Sequence, residues 1–205
     1  MSDLDFAALL VSRVCHDLVS PVGAVVNGLE ILEEERDAGM RADALRLVTS
    51  SAALAAARLQ FARIAYGAAG SAGAELDLNE VGRIVCGVLK GGKIEVFWEA
   101  AAVNWPKDWA KLLMNSALLA ADSLQRGGRL RITTLQGAAT LGFTVLAEGQ
   151  GARILDDVSV ALSGEPEGPL DGRSVQAFLA HRLASLLGAK LSLTCREGAV
   201  EIAAG

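Results

Sequence analysis

Residues 16–21 read His16-Asp17-Leu18-Val19-Ser20-Pro21, inside an apolar-periodic segment that predicts one helix from about Leu4 to Glu35. Imidazole is the one side chain that is ordinarily close to half neutral at physiological pH. Its neutral ring nitrogen is a nucleophile toward phosphorus, and the phosphorylated ring is a good leaving group. Covalent catalysis of this kind divides one transfer into two easier steps. The segment therefore indicates reversible phosphoryl chemistry at His16.

Helical spacing separates an apolar seam from a polar stripe along this segment. The heptad count predicts a seam of Ala7, Val11, Val14, Leu18, Pro21, Val25, Gly28 and Leu32. His16 is outside the seam, and its neighbours at helical spacing are small or polar: Ser12, Arg13, Ser20, Gly23 and Asn27. We therefore expect the imidazole to face solvent, where a partner can dock. The alternative is an ordinary surface histidine, which the complete string around His16 disfavours.

Pro21 is expected to disturb the helix beside His16. Proline has no N–H, and its ring crowds the carbonyl four residues earlier, which belongs to Asp17. One helical hydrogen bond should therefore be missing there, and the helix should bend locally.

The first helix is predicted to be one arm of a hairpin. Ser2 with Asp5 is typical of a capping box, and Asp37-Ala38-Gly39 indicates a turn before a second helix from about Met40 to Tyr66. The apolar stripe of that helix is too broad for one facing helix. Two such hairpins would bury their stripes in a four-helix bundle, so we expect a homodimer.

Composition excludes several classes of protein. The chain has 205 residues and a net charge of −5 without a basic run, which argues against nucleic acid as a direct partner. There is no run of 18 apolar residues and no signal-peptide pattern at the N-terminus, so we expect a cytoplasmic protein without a membrane partner. The cysteines Cys15, Cys86 and Cys195 have neither disulfide nor metal-ligand spacing, and we expect no metal site.

After the small-residue linker 67–73 the pattern changes to alternating helices and strands. We predict helices over about 77–89, 106–125, 152–162 and 172–187, and strands over 93–99, 129–135, 140–147, 190–195 and 199–203. The fold class is thus α+β, with a helical hairpin over residues 1–67 and an α/β sandwich over residues 74–205.

This layout and the His16 string resemble the core of two-component histidine kinases, across essentially the whole chain. The stretch from Ser12 to Ala24 is more similar still to the alphaproteobacterial ChpT family of histidine phosphotransferases. The resemblance implies a dimeric hairpin that carries the phosphorylated histidine, followed by an ATP-binding (Bergerat) fold. It also implies phosphate transfer from the receiver domain of a hybrid histidine kinase to the receivers of cell-cycle response regulators.

The segments that resemble nucleotide-binding motifs of the kinases are degenerate. Asn115 lies where the kinases have a magnesium-binding asparagine, but the adenine-binding aspartate is replaced by Ala147, two residues before Gly149. A methyl group cannot accept the hydrogen bond from the adenine amino group. The second glycine-rich loop reads Gly172-Arg173-Ser174-Val175-Gln176, with side chains where phosphates need open backbone. We therefore expect no bound cofactor; Mg²⁺ would come from the partner receiver.

The predicted catalytic residue is His16, and the predicted receiver-binding residues are Arg13, Asp17, Ser20 and Asn27. Asp17 is expected to orient the ring, although it is equally compatible with a solvated surface acid. His181 is interpreted as a surface or boundary residue.

Three functions remain open from the sequence. The favoured one is an ATP-independent histidine phosphotransferase. The alternatives are an autophosphorylating kinase with a diverged pocket and a dimeric scaffold that binds receivers without chemistry. The replacement at Ala147 argues against the kinase, and the intact His16 string argues against the scaffold.

Overall fold

The computed structural model describes residues 1–67, 74–135, 141–164, 166 and 168–205. A long helical hairpin precedes an α/β layer, which confirms the α+β class. The linker 68–73 and the predicted turn at 136–139 lie outside the described residues.

The hairpin consists of α1 (Asp3–Glu34) and α2 (Ala38–Ala65). The predicted capping box is present, since the Ser2 hydroxyl accepts from the Asp5 backbone N–H and the Asp5 side chain accepts from the Ser2 backbone N–H. Asp37 caps α2 by accepting from the Met40 N–H. Short polar side chains at both starts therefore fix where the two helices begin.

The two helices are in close contact at Gly28. A Cβ placed there would lie 2.6 Å from Val48 Cγ2 and 3.3 Å from the Ala44 carbonyl oxygen. Gly28 and Pro21, both on the predicted seam, are buried, whereas Val11, also on that seam, is 62% exposed. Only part of the seam therefore faces α2 in the single chain.

Helix α1 is long and apolar enough to cross a bilayer when judged by length and composition alone. Only 6% of its most apolar window is buried within the chain. The hairpin consequently displays large apolar side chains on its surface: Val11, Val19, Val22, Val26, Leu29 and Ile31 on α1, and Met40, Leu45, Leu47 and Leu59 on α2.

The α/β layer begins after the linker. Its elements are β1 (Glu75–Asp77), α3 (Leu78–Leu89), β2 (Ile94–Glu99), β3 (Asn104–Pro106), α4 (Lys107–Asp122), β4 (Gly128–Thr134), β5 (Phe143–Glu148), α5 (Asp156–Ser163), α6 (Ser174–Leu187), β6 (Leu191–Arg196) and β7 (Ala199–Ala204). Strands β1 and β3 form a small antiparallel pair. The main sheet has the order β2-β4-β5-β7-β6, and only β2 and β4 are parallel.

One face of the main sheet is covered by helices. Alternate residues of β4, β5 and β7 are buried, and they pack against the apolar side of α4: Leu130, Ile132, Phe143, Val145, Ala147, Val200, Ile202 and Ala204. Helix α4 itself is buried over most of its length, and α6 packs beside it. The result is a two-layer sandwich with helices on one side of the sheet.

Several predicted boundaries shift in the structure. Helix α5 starts at Asp156 rather than at 152, because the Ala152 N–H bonds to the Gly149 carbonyl in a turn and Leu155 is extended. The short strands β1 and β3 were not predicted. Pro106, which was expected at the first position of a helix, ends β3 and precedes α4.

The C-terminal end of α2 is part of the same hydrophobic core. Phe61, Ile64 and Ala65 of α2 belong to the apolar cluster that α4 and the sheet form. The Asn115 side-chain amide donates to the Lys111 carbonyl at 2.9 Å and lies 3.5 Å from the Ala65 carbonyl. The α/β layer is therefore seated against the hairpin, and a cleft remains between them.

Candidate functional site

The cleft between hairpin and α/β layer has a volume of about 560 Å³. One wall comprises the middle of α1 and the end of α2, and the other comprises the ends of α3 and α4 and the segments that precede α5 and α6. His16 lies at its edge. The predicted catalytic residue is thus next to the junction of the two parts of the chain.

The imidazole of His16 is highly accessible at this site. Its side chain is 86% exposed, and Nδ1 lies 3.4 Å from Asp17 Oδ1. A carboxylate beside Nδ1 favours the tautomer with a proton on that nitrogen, which leaves the lone pair on Nε2. Nε2 is therefore the nitrogen available as a nucleophile.

Asp17 is held at three points. Its Oδ2 accepts from Arg13 Nε at 3.0 Å, its Oδ1 faces His16, and its backbone carbonyl accepts a hydrogen bond from the guanidinium of Arg58 on α2. That carbonyl lacks its usual helical donor because residue 21 is proline. The missing bond predicted from Pro21 is thus replaced by one from the second helix.

Arg13 does not lie on an exposed stripe with His16, whereas its predicted role in receiver binding stays a prediction. Arg13 is only 9% exposed, because the α/β layer packs over that side of α1. Its Nη1 donates to the Gly172 carbonyl at 3.1 Å, and its Nη2 lies 3.4 Å from Asp122 Oδ2. Together with Asp17, these contacts engage the guanidinium within the protein.

The electrostatics of the cleft follow from this network. Burial alone would lower the pKa of Arg13, but the carboxylates of Asp122 and Asp17 outweigh it and raise the pKa. Although 56% of the Asp122 side chain is exposed, partial desolvation at the cleft wall raises its pKa against the opposing effect of Arg13. Burial also raises the pKa of Tyr66, whose hydroxyl has no hydrogen-bond partner within the described part of the chain.

Ser20 and Asn27 are exposed on α1, as predicted. Helical spacing places both on the side of His16, with Asn27 about 16 Å further along the axis. His16, Asp17 and Ser20 therefore lie close together on α1, and Asn27 lies further along the same side. Arg13 is buried between α1 and the α/β layer.

The positions that correspond to the kinase adenine motif are structural here. Ala147 lies on β5 with no exposed surface, paired in register with Leu130 and Val200. A Cβ at Gly149 would lie 2.4 Å from the Gly127 carbonyl oxygen, and Gly151 has a φ of +73°. These glycines serve a tight turn after β5.

The N-terminus of α6 is capped by an acidic side chain. Asp171 Oδ1 accepts from the backbone N–H groups of Arg173 and Ser174, each at 2.8 Å, and from the Ser174 hydroxyl at 2.9 Å. These hydrogen bonds lower the pKa of Asp171, with the Ser174 N–H the leading cause. A protein carboxylate thus occupies the helix end where an anion would otherwise bind.

His181 differs from His16 in every respect that matters for phosphoryl transfer. Its Nδ1 lies 3.1 Å from the Leu162 carbonyl oxygen and its Nε2 lies 3.3 Å from the Ser185 hydroxyl. The ring stacks on Phe178, and it lies so close to Gly164 that a Cβ there would meet Nε2 at 2.2 Å. Both ring nitrogens are therefore engaged.

Sequence reasoning missed the two groups that complete the network. Asp122 and Arg58 are far from His16 along the chain and carry no motif of their own. The one available signal was Pro21, because the carbonyl it leaves open requires a donor from elsewhere.

Comparisons with known proteins agree with this description. The family "Histidine phosphotransferase C-terminal domain" matches residues 78–199. The protein phosphotransferase ChpT of Brucella abortus (strain 2308) is 44% identical over 195 residues, covering 94% of this chain and 91% of that protein. A solved bacterial phosphotransferase is 38% identical, with a TM-score of 0.89 over 100% of this chain and 98% of the other.

The histidine kinases are related at the level of fold. The histidine kinase domain of the Erythrobacter litoralis blue-light activated kinase EL346 is 16% identical, with a TM-score of 0.50 over 89% of this chain and 94% of that domain. The phosphotransferases match at much higher identity, 44% and 38%. This chain belongs to the histidine phosphotransferase family.

Proposed function

We propose that the protein is a phosphorelay intermediate in which His16 accepts a phosphoryl group from the receiver aspartate of a hybrid histidine kinase. It then passes the group to the receiver aspartate of a response regulator. The observation that carries the proposal is the His16 ring, which is exposed on the hairpin with Nδ1 beside Asp17 and Nε2 open to solvent.

The chemistry needs little from this chain beyond a placed nucleophile. In the first step Nε2 forms a bond to phosphorus while the bond from phosphorus to the aspartyl oxygen breaks and its electron pair returns to the receiver carboxylate. The imidazolium that results carries a positive charge, which Asp17 stabilises through the proton on Nδ1. The second step is the reverse, toward another receiver carboxylate. Positioning and charge stabilisation account for most of the catalysis in such transfers.

Features of the α/β layer support phosphoryl transfer without ATP. Ala147 offers no carboxylate to an adenine ring, and Asp171 already accepts the backbone donors at the start of α6. A nucleotide phosphate would meet the negative charge of Asp171 instead of free N–H groups. The Mg²⁺ that the reaction uses would arrive with the receiver domain, and on this account the protein has no cofactor of its own.

A second copy of the chain is the proposed occupant of the apolar hairpin surface. Val11, Val22, Val26 and Leu29 lie within about 60° of one another on α1 at 100° per residue, and all are exposed. His16 lies about 140° away from Val11, so pairing through this surface leaves the imidazole open. The apolar residues along α1 would then be buried in a four-helix bundle of two chains.

We also propose that the protein acts in the cytoplasm.

The test is transfer from a phosphorylated receiver. The intact protein is mixed with a receiver domain carrying labelled aspartyl phosphate, without nucleotide. Acid-labile, base-stable label on this chain is the expected result, followed by its loss to a second unlabelled receiver. A protein that takes label only from ATP would favour the kinase, and one that takes none would favour the scaffold.

A further inference from the structure

Arg13 is shared between two carboxylates that belong to different parts of the chain. Asp17 lies one turn further along α1, and Asp122 is the last residue of α4 in the α/β layer. The guanidinium reaches Asp17 Oδ2 at 3.0 Å through Nε and Asp122 Oδ2 at 3.4 Å through Nη2. Its third contact, with the Gly172 carbonyl at 3.1 Å, uses Nη1.

Because Arg13 is shared, it makes only one hydrogen bond to Asp17. A guanidinium prefers to bind one carboxylate with two parallel hydrogen bonds. Arg13 makes a single bond to Asp17 because Nη1 and Nη2 are engaged by Gly172 and Asp122. Oδ1 of Asp17 therefore remains directed at His16 Nδ1, 3.4 Å away.

Asp122 is poorly placed for helix stability. A carboxylate at a helix C-terminus faces the negative end of the helix dipole, which is unfavourable by itself. In this structure the cationic Arg13 compensates, and 56% of the Asp122 side chain remains exposed. The contact with α1 thus offsets an unfavourable position at the end of α4.

We propose that Asp122 is a positioning residue for His16. By holding one side of Arg13, it keeps Arg13 from binding both oxygens of Asp17, and so leaves Asp17 Oδ1 free to orient the imidazole. The α/β layer thereby acts on the phosphoacceptor through a chain of four side chains: Asp122, Arg13, Asp17 and His16. The inference deepens the proposed function and rests on it for its catalytic consequence.

The most direct readout is the tautomer of the ring, which does not depend on transfer activity. The chain has 2 histidines, so ¹⁵N NMR of the full-length protein contains one ring under test and His181 as an internal reference. At pH about 8.5, where imidazoles are neutral, we expect the Nδ1–H form at His16. In Asp122→Asn, Arg13 takes both oxygens of Asp17, and the Nε2–H form of His16 should increase while His181 is unchanged.

The kinetic readout separates positioning from docking. For Asp122→Asn we expect the rate of transfer at saturating phosphorylated receiver to fall about tenfold, by analogy with the losses of about 10–100-fold on removal of groups that orient metal-binding histidines. The receiver concentration at half-saturation should change by less than about twofold. Asp108→Asn, on the same helix and paired with Lys111 at 3.8 Å, is the matched control and should leave both quantities unchanged.

A double variant decides whether Asp122 acts through Arg13. Without the guanidinium, Asp122 has no route to Asp17, so Arg13→Gln with Asp122→Asn should transfer no more slowly than Arg13→Gln alone. Three results would overturn the proposal. The losses in rate could be additive in the double variant, or the His16 tautomer could be unchanged in Asp122→Asn. The third is a change in the receiver concentration at half-saturation without a change in the maximal rate. If the wild-type protein takes no phosphate, the proposed function fails, but the tautomer experiment still tests the contact chain.

Discussion

The guanidinium of Arg58 on α2 donates a hydrogen bond to the backbone carbonyl of Asp17 on α1, beside the reactive histidine. Pro21 makes this contact possible, since it supplies no N–H to that carbonyl. The bond is part-buried, and a typical intramolecular hydrogen bond contributes about 0.5–1.5 kcal/mol to stability. Arg58 therefore stabilises the hairpin at the residue pair on which the chemistry depends.

The first prediction concerns the pair Arg58 and Pro21. Arg58→Ala should lower the free energy of unfolding by about 0.5–1.5 kcal/mol, because the part-buried Asp17 carbonyl loses its donor. The same change in a Pro21→Ala background should cost less, since the substituted alanine restores the helical N–H. Urea unfolding measures both. Arg63→Ala, an exposed arginine on the same helix, is the control, and equal costs in the two backgrounds would contradict the account.

Part of this site could be predicted from the sequence and part could not. The helix, the capping box and the exposure of His16 follow from local spacing, which the residues of α1 determine by themselves. The burial of Arg13 depends on where the α/β layer sits, more than 100 residues further along the chain. A helical wheel of α1 places Arg13 beside His16 but contains no information about Asp122.

In the α/β layer, too, some elements could be predicted from the sequence and others could not. Alternation of apolar residues predicts β4, β5 and β7, because one face of each is buried against helices. The pair β1 and β3 was missed since each has only 3 residues, too few for a periodic signal. The start of α5 was misplaced because the turn at Gly149–Ala152 uses backbone hydrogen bonds that composition does not reveal.

A second prediction tests the cap of α6. Asp171→Ala should lower stability by about 1 kcal/mol at pH 7, because two backbone N–H groups lose their acceptor. The folded pKa of Asp171 lies below its ordinary value of 3.8, so its contribution is present above that pH and is lost as pH falls through the folded value. Thermal melts of wild type and variant should therefore converge as pH falls below about 3.8.

The control for the cap is Asp157→Ala, an exposed acid in the first turn of α5 without a side-chain cap bond. We expect it to change stability by about 0.5 kcal/mol or less at either pH. A difference between wild type and Asp171→Ala that stays constant from pH 7 down to the lowest pH at which the protein remains folded would show that the carboxylate is not the stabilising group.

The third prediction is the absence of productive ATP binding. Calorimetric titration of the intact protein with Mg²⁺-ATP should give no micromolar affinity, because the adenine position is apolar and Asp171 occupies the α6 terminus. A known autophosphorylating kinase serves as the positive control under the same conditions. Micromolar affinity that depends on Mg²⁺ would favour the kinase alternative.

The fourth prediction concerns the oligomeric state. Val26→Glu places a charge on the exposed apolar face of α1, where it has little effect on the single chain but disrupts an interface. Light scattering should show a dimer for wild type and a monomer for the variant. Leu186→Glu, an equally apolar position that is 74% exposed on α6, should remain dimeric. A dimer that survives Val26→Glu would place the interface elsewhere.

The central claim is that His16 carries the phosphate, and one measurement addresses it directly. Wild type, His16→Ala and His181→Ala are each incubated with a labelled phosphorylated receiver, and acid-labile label on the chain is counted over time. We predict no label on His16→Ala, with a melting temperature close to wild type because the side chain is exposed. His181→Ala should accept label at the wild-type rate once its folded fraction is confirmed. Label that persists on folded His16→Ala protein would contradict the account.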